Sequence, residues 1–281
     1  MTISYAPSEL YKSQDGQDKW ANEQVFKGRT GGVFVDMGCY DGVTYSNTWY
    51  FERVLNWTGV CVEPNPEVFP RIQMQAGRTS GVQLAVSDHR GSAPFVTAFM
   101  RSSLNASAVD YDFLASQGVN AAKVHVELTT PAALLAAHLP PHTAIDYVNI
   151  DVEQLELAIL RVWPWEAYCV TLFNIENSPP NNGPSLLPEL EALLQPRGYT
   201  HRGRIGVDEL FLRESPCPPT PQSQLVTGET NGPAQRGGSA ATRRRALQQH
   251  EHGSTRRLSR LRAKQKKHRD GREEVERHPE S

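Results

Sequence analysis

The sequence predicts an α/β fold in which a seven-stranded, largely parallel sheet carries helices on both faces and presents a ligand pocket at its strand ends. Three observations predict it. Residues 32–66, GVFVDMGCYDGVTYSNTWYFERVLNWTGVCVEPNP, hold two short apolar strands that each stop at a carboxylate and are joined by a glycine-rich turn and a helix. Further apolar, β-favouring runs then alternate with helical patterns down the chain. Finally, residues 198–200 and 207–212 pair as a closing antiparallel hairpin, after which apolar patterning fades at about Arg213.

The first unit sets the chemistry. Val33, Phe34 and Val35 form a strand that ends at Asp36, and Gly38 and Gly42 let the backbone turn tightly. A helix is expected to start near Ser46 or Asn47, either of which can cap it. Phe51, Val54 and Leu55 follow at helical spacing, and residues 56–59 end the helix before a second strand, residues 60–63. In such a βαβ unit the ligand lies beyond the carboxyl ends of the strands, where Asp36, the glycine turn and Glu63 converge. The spacing is not G-x-G-x-x-G, and Asp36 and Asp41 would repel a pyrophosphate. They suit a cation carrying an ammonium and a sulfonium, such as S-adenosylmethionine, whose ribose diol Glu63 can accept. A dehydrogenase-like or purely structural unit stays open at this point.

The remaining elements follow in order. Residues 82–86 read as the third strand, ending at Ser87 and Asp88. Residues 94–100 and 123–129 read as strands flanking a polar stretch, residues 101–120, a candidate substrate-covering insertion. Thr130-Pro131 opens an alanine- and leucine-rich helix with proline in its favoured first turn. Residues 145–150 make a buried strand followed by a helix over 155–162. Residues 168–175 make the fifth strand of the sheet, and a helix over 186–194 is stopped by Pro196 before the hairpin.

The runs FVDMGCYDGVTYSNT, GVCVEPNP, IDYVNIDVEQLELAIL, FNIEN and GVDELFL, in that order, resemble the FkbM-type family of S-adenosylmethionine-dependent methyltransferases. Ser13, Gln14, Gln17, Asp18 and Trp20 resemble its lead-in. The resemblance spans most of residues 13–213. It implies a class I methyltransferase (Rossmann-like) fold and methyl transfer to oxygen, often a hydroxyl of a sugar, glycan or natural product. Two positions depart from the family: Cys39 stands where a small residue is usual, and Gln154 where glycine is usual.

The candidate cofactor-binding residues are Asp36, Gly38, Cys39, Asp41, Gly42, Asn47, Glu63 and Asp88. In the resembled fold Asp88 lies beside the adenine ring, whereas Asp88-His89-Arg90-Gly91 also has plain turn chemistry. The candidate catalytic residues are Asp151, Glu153 and Glu176, because those strand ends lie near the transferred methyl in the resembled fold. Carboxylates there can orient an acceptor hydroxyl or take its proton; the alternative is that Asp151 and Glu153 only cap a helix N-terminus. Asp151 with Glu176 and Asn177 invites a fold analogy with the magnesium site of catechol-type O-methyltransferases, but no metal ligand is assigned. His201, expected on the hairpin loop, is a further candidate base, and Asp208 is expected to fix the hairpin.

Composition divides the chain. Of 29 basic and 31 acidic residues, 14 basic and 8 acidic lie from Glu214 onward, a net of +6 against −8 upstream. This gives a lead-in over residues 1–30, a methyltransferase domain over 31–213 and a Pro-rich linker with a basic disordered tail over 214–281. Arg243 to Arg245 and the cluster from Arg256 to Arg269 suit nucleic acid or an anionic surface, without aromatic residues for stacking. A cofactor-binding adaptor working through that tail is the alternative function. Residues 1–11 lack the pattern of an export signal, and no apolar run approaches the ~18 residues that span a bilayer. Cys39, Cys61, Cys169 and Cys217 show no C-x-x-C spacing and read as buried reduced thiols, which fits a cytoplasmic protein, or a nuclear one given the tail. Asn56-Trp57-Thr58 and Asn105-Ala106-Ser107 match the glycosylation pattern by chance on that reading.

Overall fold

A computed structural model describes residues 10–218, except residues 75, 79, 99–101, 107, 108, 110, 117, 119, 120 and 179–182. The basic clusters lie outside the described residues, as do most of the tail and the Ser107 end of the second glycosylation pattern.

Seven strands form the main sheet: β1 (Val33–Met37), β2 (Thr58–Val62), β3 (Gly81–Val82), β7 (Ile145–Ile150), β8 (Val170–Glu176), β9 (Tyr199–Ile205) and β10 (Asp208–Arg213). Their order is β3-β2-β1-β7-β8-β10-β9. The first five run parallel, and β10 and β9 join as the expected antiparallel hairpin. Parallel strands covered on both faces read as continuous apolar runs, which is why β1, β7 and β8 were legible.

The two faces bury different clusters. Val35, Met37, Val148, Ile150, Phe173 and Ile175 point to one side. There they meet Leu134 and Leu135 of α5 (Pro131–His138), Ile159 and Leu160 of α6 (Glu156–Arg161), and Leu190 and Leu194 of α7 (Leu187–Leu194). Phe34, Tyr147 and Leu172 point to the other side, against Phe26, Phe51, Leu55 and Trp57. Phe26 ends a wide helical turn (Ala21–Phe26) that continues α1 (Gln17–Trp20), and Phe51 belongs to α2 (Trp49–Arg53). Between β2 and β3 runs α3 (Phe69–Met74). Thr130 caps α5 by accepting the Ala133 N–H, with Pro131 in the first turn as expected.

Several expectations need correction. The strand expected over 82–86 is two strands. Gly81–Val82 edges the main sheet, whereas β4 (Ala85–Val86) joins β5 (Gly91–Thr97) and β6 (Ala122–Thr129) in a separate three-stranded sheet. The physical reason is that Ala85 is buried with Phe95, Val126 and Leu128, so the chain turns away from β2 after two residues. Within the insertion, α4 (Tyr111–Ser116) is helical. The helix after the glycine turn starts at Trp49 rather than Ser46 or Asn47, because the Thr48 hydroxyl donates to Asp36. Ser46 still accepts the Trp49 N–H at 3.0 Å. His201 lies within β9, not on a loop.

The largest correction concerns the cysteines, which form two disulfides, Cys39–Cys61 and Cys169–Cys217. The turn after β1 folds back on β2, so that the Gly38 and Cys39 N–H groups both donate to Val62 O and bring Cys39 beside Cys61. Sequence separations of 22 and 48 residues hid both pairs. The second bond also ties residues 214–218, expected as linker, to the start of β8. Disulfides persist in oxidising surroundings, which removes the reduced-thiol ground for a cytoplasmic location. Among the described residues no helix is long and apolar enough to cross a membrane.

Candidate active site

The strand order makes the site. From β1 the chain steps outward to β2 and β3, then crosses back to lay β7 on the other side of β1. Crevices that hold ligands open beyond the strand ends at such a reversal. Asp36 lies inside β1, one residue before its end, the glycine turn follows that strand, Glu63 follows β2, residues 151–154 follow β7, and Glu176 ends β8.

Asp36 is fully buried. Its oxygens accept from Thr48 Oγ1 at 2.5 Å and from Asn149 Nδ2 at 2.9 Å, and an Arg78 nitrogen lies 3.8 Å away. Burial raises its pKa, opposed by the Arg78 charge. The network continues across the sheet: Asn149 Oδ1 accepts from Asn47 and Asn174, while Asn174 and Gln17 donate to Asp208 Oδ2. Register explains it, since Asp36 pairs with Asn149 and Asn149 with Asn174. Asp208 thus holds the lead-in to the sheet rather than fixing the hairpin alone. Asn47 Oδ1 is buried without a partner among the described residues.

The glycines serve the chain's own packing. Gly38 sits at φ +87°, and a Cβ there would lie 1.7 Å from the Asp151 carbonyl oxygen. Gly42, at φ +81°, faces Arg78 and Ala76, which a Cβ would approach at 3.1 and 3.2 Å. Between them Tyr40 adopts a left-handed φ of +49° and donates its N–H to Glu63 Oε2 at 3.0 Å. The Asn65 N–H donates to Glu63 Oε1 at 2.8 Å. Burial pushes the Glu63 carboxyl up to about 7, against these two hydrogen bonds. Asp41 is engaged inside the turn, accepting from the N–H groups of Val43 and Thr44 and from the Thr44 hydroxyl. Cys39 is buried in its disulfide.

Asp151, Glu153 and Glu176 come together, with carboxylate oxygens all within 4.8 Å of one another. The Asp151 and Glu176 carboxyls are both raised well above ordinary carboxyl values, first by burial and then by neighbouring negative charge. The backbone here is strained: Glu153 and Gln154 both occupy the left-handed region, at φ +56° and +86°. That conformation explains why the resembled family places glycine at position 154. Glu156 Oε1 holds the turn by accepting the Val152 and Gln154 N–H groups. The insertion reaches the same place, since Ser103 Oγ donates to Glu153 O at 3.0 Å and Asn65 Nδ2 to Ser102 Oγ at 3.3 Å.

The other candidates stand apart from this cluster. Asp88 is exposed in the turn between β4 and β5, and hydrogen bonds from His89 and Ser87 hold its carboxyl below the usual range. Asn177 is buried in structural hydrogen bonds with Ser185, Leu186 and Glu209. His201 Nε2 lies 2.7 Å from Glu209 Oε2, beside the Phe211 ring. Sequence reasoning missed Arg78, Glu156, Asn149 and Asn174. The two asparagines carried a signal, being amides inside apolar strands, whereas Arg78 lay in no motif.

Compared with models of known families, residues 36–200 of the chain match the Methyltransferase FkbM domain. A comparison with curated proteins gave no match.

Proposed function

The chain belongs to the FkbM methyltransferase domain family, and from that premise we propose that it is an S-adenosylmethionine-dependent O-methyltransferase acting on a hydroxyl of a sugar, glycan or natural product. One observation carries the reading: Asp151 and Glu176 bring carboxylate oxygens together at the ends of β7 and β8, beside the glycine turn, where Gly38 packs against the Asp151 carbonyl and Tyr40 donates to Glu63.

The residues present fit the cofactor. Its charges are an ammonium and a sulfonium, and the surrounding ionisable groups at these strand ends are carboxyls. Glu63 retains lone pairs after accepting two backbone N–H groups and can accept from a vicinal diol. When bound, S-adenosylmethionine supplies an electrophilic methyl on sulfur. The chain's own task is to hold an acceptor oxygen in line with that methyl, exclude water and receive the hydroxyl proton. Positioning of this kind supplies about 7–11 kcal/mol in favourable cases. Two carboxyls this close resist double ionisation, so the pair retains one proton and keeps one basic oxygen whose affinity for a proton is raised by burial. That oxygen would take the proton from the acceptor hydroxyl as the carbon–oxygen bond forms, the methyl carbon–sulfur bond breaks and a neutral thioether leaves.

The test has two stages. S-adenosylmethionine is titrated calorimetrically into the purified full chain, and labelled methyl transfer is then followed over a panel of sugars and polyols. Absence of binding at millimolar cofactor would sink the cofactor assignment; binding with transfer only to nitrogen or carboxylate acceptors would sink the hydroxyl assignment.

A further inference from the structure

We propose that Arg78 is the positioning residue of the cofactor turn, a buried guanidinium that fixes residues 36–48 from beneath without touching the ligand. The inference rests on the reading of that turn as the cofactor's binding element. Arg78 is fully buried, and every nitrogen of its head is engaged. Nε donates to Glu52 Oε2 at 2.6 Å. Nη1 donates to Gly42 O at 3.3 Å and Ser46 Oγ at 3.2 Å, and lies 3.8 Å from Asp36. Nη2 donates to Thr48 Oγ1 at 2.8 Å. Its carbon centre stands 5.3 Å from the centroid of the Phe34 ring.

These contacts are distributed in a way that packing alone does not require. They meet Asp36 near the end of β1, the second glycine, Ser46, which accepts the first N–H of α2, and Thr48, which precedes α2, points that span the path of the turn. Thr48 in turn donates to Asp36, so the arginine, the threonine and the aspartate close a ring around the turn's base. Glu52, one turn into α2, anchors the guanidinium and is itself held by the Ser80 hydroxyl at 2.9 Å. The planar fork of arginine can serve four directions at once, and a lysine ammonium cannot. Removing one partner of a buried ion pair also leaves the other charge uncompensated, so Asp36 would be forced to take up a proton and loosen Thr48.

The test uses the full chain carrying Arg78→Lys, with Leu190→Ala, a cavity on the opposite face of the sheet, as a control of comparable lost stability. Hydrogen exchange is read at the amides of Val43, Thr44, Trp49 and, for comparison, Val148 and Phe173. Faster exchange confined to the first three, with the cofactor KM raised between about 5- and 150-fold and kcat retained, supports the proposal. Unchanged exchange and affinity overturn it, as does a parallel loss of kcat and KM matching the control. If the parent chain binds no S-adenosylmethionine, the proposed function fails, and exchange alone decides the role of Arg78. Should Arg78→Lys not fold, Glu52→Gln removes the anchor and keeps the guanidinium; exchange like the parent's in that variant overturns the proposal, and faster exchange at residues 43–49 alone supports it.

Discussion

Asp151 directly follows β7 and Glu176 ends the neighbouring parallel strand β8, and a carboxylate oxygen of each lies within 4.8 Å of the other and of one from Glu153. Register produces the encounter: Ile150 pairs with Ile175, so the residue after each emerges at the same rim. Burial and mutual repulsion make both carboxyls hold protons more tightly, which on the proposed function suits the pair to take the proton of an alcohol.

On this basis Asp151→Asn is expected to lower turnover by about 10²- to 10⁴-fold, the usual worth of a general base, with cofactor affinity little changed. The rate of the parent should climb with pH as the doubly protonated pair gives up its first proton and exposes one basic oxygen, and the variant should flatten that climb. A pH–rate profile of equal shape in both would remove Asp151 from the proton transfer.

Glu63 predicts two pH trends of opposite sign. Its carboxyl stands at about 7 in the folded chain against 4.5 for the free group. It therefore binds more protons when folded, and the stability this confers is present below the unfolded value and lost as pH rises through 7, about 3 kcal/mol in all. Asp36, Asp151, Glu176 and Asp208 are raised by burial as well and act in the same direction. The unliganded chain should melt at a lower temperature at about pH 8 than at about pH 5, while cofactor affinity, which uses the Glu63 anion, should rise over the same range. A melting temperature that increases toward pH 8 would contradict the burial of these groups.

Gln154→Gly is expected to stabilise the chain by about 1 kcal/mol, because glycine accepts the left-handed φ of +86° that glutamine holds under strain. The side chain's long contact with Asn105, 3.5 Å, offsets little of this. Chemical denaturation of the two proteins measures it, and a destabilised variant would show that the glutamine side chain has a larger part in the turn than its hydrogen bond suggests.

The disulfides separate stability from binding. Closing loops of 22 and 48 residues is worth about 3 to 4 kcal/mol each. Cys169→Ser with Cys217→Ser should lower the melting temperature and leave cofactor affinity alone, since both lie away from the turn. Cys39→Ser with Cys61→Ser should do both, because Cys39 follows Gly38 and Cys61 precedes Glu63 by two residues. Mass spectrometry under non-reducing conditions checks the pairing itself; four free thiols in chain purified without reductant would refute it.

Much of this was legible in the residues. Apolar runs ending in Asp36, Glu63, Asp151 and Glu176 marked the parallel strands and their rim, because a strand buried on both faces admits few polar residues before it reaches solvent. Gly38 and Gly42 take the left-handed φ that their place in the turn called for, and a Cβ on either would meet Asp151 or Arg78, neighbours that the local sequence did not name. The second sheet was invisible because β4 holds two residues and its partner β6 begins 36 residues later.

The sequence by itself determined the sheet, the family and the set of acids at the strand ends, since each depends on local periodicity or on a contiguous motif. The tertiary structure alone decided which of those groups meet. The meeting of Asp151 with Glu176, the pairing of Cys39 with Cys61 and the contacts of the buried Arg78 guanidinium all join residues more than twenty positions apart. Contacts of that reach follow from strand order and register, and no local pattern encodes them.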